Sequence, residues 1–169
     1  GTRTEYIQLS ADDIPDIKRD ILKTVVVSRY HPGKPGVGLV SGFGLKQGAI
    51  AASVSHDSHN IIAVGTSDDD ILKVISKVIR HKGAMAARND TGEASLPLSV
   101  AGLMSELPYE KVHDELFKLH KVTQSSGAVR EPFMYLSFLA LTVIPEIRIT
   151  TKGMFDVNTF SHVSIFCEE

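Results

Sequence analysis

The chain has 169 residues, 43% of them hydrophobic and 22% charged, with a formal net charge of −2. That is the make-up of a single globular domain large enough to fold without disulfide or metal staples. It excludes a nucleic-acid footprint, since no long run of Lys or Arg occurs, and a membrane span, since no apolar run approaches the roughly 20 residues one needs.

The chain opens Gly1-Thr2, without Met and without a signal-peptide pattern, and reads as an excised or processed fragment. Tyr6, Ile7 and Leu9 predict a short strand, and residues 10–16, polar and with Pro15, a loop. Residues 21–30 carry Thr24, Val25, Val26 and Val27 and predict a strand, because β-branched side chains suit a pleated surface. Two Pro and three Gly make residues 31–38 a loop. Gly36-x-Gly38 followed by Gly42 lacks the GxGxxG spacing and opens no helix, which argues against a dinucleotide loop. Residues 39–43 form a short strand or an irregular approach to Gly44.

Residues 49–54 and 61–64 are short runs of Ile, Val and Ala, too short for two helices, and predict two strands joined by His56-Asp57-Ser58-His59-Asn60. Ser67 is a suitable N-cap, and Asp68, Asp69 and Asp70 sit where a helix dipole favours negative charge. The acidic triplet is therefore a helix start rather than a metal cluster. Ile71, Leu72, Ile75, Val78 and Ile79 keep helical spacing up to Gly83, so residues 67–82 predict a helix and 84–88 the next strand. Strand 61–64, helix 67–82 and strand 84–88 make one right-handed βαβ unit.

Residues 89–93 read as a turn, 94–98 as a strand and 100–104 as a helical turn. Residues 105–127 predict the longest helix, with Pro108 in its first turn and Val112, Leu116, Leu119 and Thr123 as its buried stripe. His113 and His120 share a face of it, which reads as solvated. Residues 133–141 predict a helix apolar nearly all round, 143–150 a strand with an edge or bulge at Pro145, and 152–153 a turn. Phe155, Val157, Phe160, Val163 and Ile165 form a mixed final segment. Together these predict one α+β domain over residues 1–169: a mixed, largely antiparallel sheet with helices packed on it and one βαβ unit.

The densest chemistry lies in the HDSHN connection. A tight turn over residues 56–59 would bring two imidazoles and a carboxylate together, the donor types of a metal or substrate site. His56, Asp57 and His59 are the metal candidates, with a third ligand to come from His31, Glu131 or a partner domain. The alternative is a structural turn in which Asp57 and Asn60 bond the backbone. Arg29, His31 and Lys34 form a small basic cluster that could orient a carboxylate beside that turn. Cys167, the one cysteine, is flanked by acidic residues and makes a poor nucleophile. Ser41, Ser53, Ser55 and Ser58 lie near the histidines, yet no GxSxG elbow occurs. A zinc deaminase of the cytidine type would need more cysteines than this.

Residues 42–70, GFGLKQGAIAASVSHDSHNIIAVGTSDDD, resemble the C-terminal domain of microbial adenine deaminases of the amidohydrolase superfamily. LPLSVAGLMSELP (96–108), EPFMYLSFLALTVIPEIRITTKGMFDV (131–157) and DILKTVVVSRYH (20–31) extend the likeness over about residues 20–160. The resemblance implies an enzyme that converts adenine and water to hypoxanthine and ammonia, with a divalent metal, manganese or iron, activating the water. It implies a metal-binding barrel, in cis or as a partner chain, that this chain lacks, with room for a homo-oligomer and a cytoplasmic setting. The superfamily's HxH motif is absent, so none of the parent's metal ligands, and no catalytic residue, is assigned here. The chain is then a support or cap for the barrel, inactive alone, with His56, Asp57, His59, Asn60, Arg29 and His31 as substrate or interface candidates. An independent module that binds a small ligand or metal through the His56-Asp57-Ser58-His59 turn is the alternative. A stand-alone hydrolase built on the same turn is a third reading.

Overall fold

A computed structural model describes residues 3–9 and 14–166. Two antiparallel sheets and three helices build an α+β fold. The larger sheet has the order β2-β1-β4-β3-β5-β6, from β1 (Leu22–Val27), β2 (Gly36–Val40), β3 (Ala49–Ala52), β4 (Ile61–Gly65), β5 (Ala84–Asn89) and β6 (Gly92–Pro97). Every residue of β3 and β4 is buried, as in central strands covered on both faces. Period-two alternation splits their side chains between two cores. Ala49, Ala51, Ile61, Ala63 and Ala86 face α1 (Asp68–Arg80) through Ile71, Val74, Ile75 and Val78. The alanines let the helix lie close. Leu22, Val26, Ile50, Ile62 and Val64 face the other way, toward Leu119 of α2 (Tyr109–Ser125) and Phe133 and Leu136 of α3 (Pro132–Phe138).

The predicted βαβ unit is present in split form. β4 and β5 both run antiparallel to β3 and so run parallel to each other, with β3 inserted between them. The acidic triplet opens α1 as expected. The Ser67 hydroxyl accepts from the Asp70 N–H and donates to its carboxylate, and Asp68, Asp69 and Asp70 pair with Lys23, Lys73 and Arg88.

The second sheet, β7 (Ile147–Thr150), β8 (Gly153–Asp156) and β9 (Ser161–His162), leans on β1 and β2. Gly36 and Gly38 permit this. A Cβ on Gly36 would lie 1.8 Å from the Thr150 carbonyl oxygen, and one on Gly38 would lie 2.6 Å from the Met154 sulfur. These glycines thus belong to β2 rather than to a loop ending at residue 38. Arg148 of β7 is buried and donates to the carbonyls of Ile144 and Pro145; burial pushes its guanidinium below its ordinary pKa.

Other boundaries shift for local reasons. Residues 3–9 form no strand: adjacent Tyr6 and Ile7 break the alternation, and Tyr6 stands exposed. α2 begins at Tyr109, four residues later than predicted, with Pro108 as its N-cap, because the residue before a proline avoids helical geometry. Val112 and Leu116 are half-buried while Leu119 and Thr123 are buried, so the stripe is as read. α3 stops at Phe138 and is two-sided, with Phe133 and Leu136 inward and Met134, Tyr135 and Phe138 exposed. β7 starts only after Pro145, which has no N–H for a ladder. Residues 100–104 form a turn closed by a Val100–Met104 bridge.

Candidate functional site

β3 and β4 pair from Ala49 with Gly65 to Ala52 with Ile62, and residues 53–60 connect them. The chain reverses at residues 56–58, where the His59 N–H donates to the Ser55 carbonyl at 2.6 Å. His56 and His59 are brought together as the spacing suggests, with ring centroids 5.5 Å apart and edge to face. They do not converge on one point. The His56 ring stacks on Phe138 at 5.2 Å, and the His56 backbone N–H donates to the Ser137 carbonyl, so α3 fixes it. His59 Nδ1 accepts the Ser55 N–H.

Arg29 is the tie that holds this end of the sheet. Its backbone N–H donates to Asn60 Oδ1, Nη1 donates to the His59 carbonyl at 3.1 Å, and Nη2 donates to the Ala101 carbonyl at 2.9 Å. The guanidinium lies over the Tyr30 ring and against Gly102, where a Cβ would meet Nη2 at 2.4 Å. Tyr30 in turn donates its hydroxyl to the Ser58 carbonyl. Asn60 donates to the Ser58 hydroxyl. Of the predicted basic cluster, only Arg29 joins the turn. His31 and Lys34 are exposed, and the His31 N–H is taken by Ser28 Oγ. Cys167 lies outside the described residues.

Sequence reasoning gave no place in the site to Tyr30, Ser53, the 100–104 turn or Phe138. Ser53 Oγ is buried, donates to the Gly102 carbonyl at 2.6 Å and accepts the Ala84 N–H at 3.0 Å. Two residues on, Ser55 Oγ is equally buried and has no hydrogen-bond partner among the described residues. Two serines at the end of an otherwise apolar strand run were the available signal.

Asp57, Ser58 and Asn60 also wall a cleft of about 440 Å³, with Thr142, Thr150 and Thr151 opposite and Val26, Ala140 and Ile149 as apolar floor. This donor set suits hydrogen bonding to a small polar molecule. It does not suit a metal. Among the described residues no three His, Cys, Asp or Glu side chains come together, and His31 and Glu131 do not complete the turn. Among the described residues, too, no helix is long and apolar enough to cross a membrane.

The family described as the adenine deaminase C-terminal domain matches residues 2–161. The chain is 52% identical over 167 residues to an adenine deaminase of Methanoculleus marisnigri, covering 99% of this chain and 32% of that protein. It is 50% identical over 165 residues to one of Methanoregula boonei, covering 98% and 30%. It is 47% identical over 155 residues to one of Bacillus licheniformis, covering 89% and 27%. The chain thus spans about a third of the length of these relatives.

Proposed function

The chain belongs to the adenine deaminase C-terminal domain family, and from that membership we propose that it is the supporting domain of a purine hydrolase. The whole protein converts adenine and water to hypoxanthine and ammonia, in the cytoplasm. Its divalent metal, manganese or iron, is held by an amidohydrolase barrel outside this chain. The domain caps or buttresses that barrel. Its HDSHN turn stands at the boundary, with His56, Asp57, His59 and Asn60 facing substrate or the other domain and Arg29 holding the turn in place. Homo-oligomers are compatible with this arrangement.

The supporting observation is the match itself: nearly all of this chain aligns with about a third of proteins named adenine deaminase. The donor chemistry agrees, since among the described residues the turn offers hydrogen-bonding groups without a third metal ligand. The test is a coupled ammonia assay with adenine, manganese and iron. The purified chain gives no turnover, and the longer protein loses turnover when this domain is deleted. Metal-dependent deamination by the 169-residue chain would overturn the proposal.

The cleft beside Asp57 favours a second reading, an independent module for a small hydrogen-bonding ligand. Adenine or hypoxanthine binding to the isolated chain by calorimetry, abolished by Asp57→Ala, would establish it in place of the first.

A further inference from the structure

We propose that the HDSHN end of the six-stranded sheet, and not the α1 face, is the surface that meets the part of the full-length protein outside this chain. This rests on the reading above, and adds to it which face docks. The relatives are about three times longer than this chain, so a large stretch of protein must be accommodated against it.

The two faces differ in kind. The outer side of α1 is charged and internally matched. Lys23 pairs with Asp68, Lys73 with Asp69 and Lys77 with Glu93, which is how a solvated face looks. Leu72 and Ile79 stand exposed among these charges, and single exposed apolar residues are ordinary. At the HDSHN end the exposed apolar side chains are linked through one network. Tyr30, 59% exposed, bonds the turn at Ser58 and carries Arg29 on its ring. Arg29 holds Ala101, in the turn that projects Met104, 61% exposed. Phe138, also exposed, backs His56. Large aromatic and Met side chains grouped around fixed polar groups have the composition of an interface core.

The same end is set in shape beforehand. His59, Lys82 and Ala101 hold φ of 49°, 59° and 55°, left-handed values that side chains with a Cβ adopt at a cost. Arg29 holds His59 and Ala101 through hydrogen bonds to their carbonyls, and Ser53 holds Gly102 through a buried one. A rigid surface loses little conformational freedom on docking.

The experiment is thiol labelling with N-ethylmaleimide, read peptide by peptide by mass spectrometry, on this chain and on the full-length protein. In a Cys167→Ser background, three variants are compared: Tyr30→Cys, Met104→Cys and, as control, Leu72→Cys. All three sites are exposed, so folding is retained and is checked by circular dichroism. The expected result is that joining the rest of the protein slows labelling at 30 and 104 by about tenfold or more and leaves 72 unchanged. Equal rates at 30 and 104 in both proteins, or protection at 72 alone, would overturn the choice of face. Protection at 30 and 104 in the isolated chain that disappears on dilution would assign the face to a second copy and overturn it too. These outcomes are separate from failure of the functional reading, which would show instead as unchanged adenine turnover when the domain is deleted.

Discussion

Ser53→Ala and Ser55→Ala form a matched pair whose outcomes are expected to diverge. Both hydroxyls leave the same stretch of chain, both are fully buried, and both substitutions remove one oxygen. The difference lies in what each oxygen touches. Ser53 Oγ accepts the Ala84 N–H at 3.0 Å and donates to the Gly102 carbonyl at 2.6 Å, and both those residues are buried. Removing it orphans a buried donor and a buried acceptor, each worth about 1–3 kcal/mol when left unmade. Allowing for partial relaxation, Ser53→Ala costs about 2–4 kcal/mol. Ser55 Oγ has no partner to lose. Its burial is itself a penalty, so Ser55→Ala is neutral or stabilising by up to about 1 kcal/mol. Urea unfolding followed by circular dichroism separates them. With a slope of about 2 kcal/mol per molar, the Ser53→Ala midpoint falls by roughly 1–2 M while that of Ser55→Ala holds or rises. Equal losses in the two variants would refute the reasoning, as would a loss above about 1 kcal/mol in Ser55→Ala.

Arg29→Met removes two charged hydrogen bonds to backbone carbonyls and is expected to cost about 1–3 kcal/mol, with faster amide exchange confined to residues 56–60 and 99–104. Gly36→Ala drives a Cβ into the Thr150 backbone and should cost more than about 3 kcal/mol, read as a lower melting temperature and a loosened β7–β8 hairpin by NMR. The Lys77 ammonium bonded to Glu93 holds that carboxyl below its usual value of 4.5. A depressed carboxylate adds stability above its unfolded pKa and loses it as the pH falls through the folded one, so this contribution disappears below about pH 4.5. Lys77→Met should return the Glu93 titration, followed by carboxyl-carbon NMR, toward the ordinary value. Elemental analysis after dialysis should find no stoichiometric metal in the chain or in its His56→Ala/His59→Ala double variant; metal bound by the first and lost in the second would restore the turn as a metal site.

The parts of the fold legible in the sequence are those where a local rule and the core agree. The runs 49–54 and 61–64, short and rich in Ile, Val and Ala, read as strands and hold β3 and most of β4, and the Ser67 cap with its three aspartates read as the helix start it is. What escaped is non-local. Gly36 and Gly38 read as loop residues because loops and close contacts both call for glycine, and only the presence of β7 and β8 against them distinguishes the two. The insertion of β3 between β4 and β5 follows from the β3–β4 hairpin, which claims the edge that a simple βαβ crossover would have used. At the site, the pairing of the imidazoles followed from spacing alone, but their orientation did not. Phe138, 82 positions away from His56 by number, decides where that ring lies. Arg29 looked like one of three loop cations; its neighbours Asn60 and Ala101 make it a structural tie.

The connection between β3 and β4 is longer than closing a hairpin demands. Two residues suffice to join antiparallel strands, and eight are used between β3 and β4, residues 53–60. Lengthening from two to eight adds about 1 kcal/mol of closure entropy, and His59 adds a left-handed backbone on top of it. Ser53, at the start of the loop, ties Ala84 and Gly102, but folding gains little from residues 56–60 that a tighter turn would lack, since their hydrogen bonds run within the turn, to Arg29 and Tyr30, and to Ser137. The loop is nonetheless fixed from two sides, by α3 through Ser137 and Phe138, and by Arg29 and Tyr30 just past the end of β1, with Arg29 anchored in turn on Ala101. Segments far apart in the chain converging to hold residues 56–60 in one shape is an arrangement that stability does not require. It is what recognition by a neighbouring surface would require.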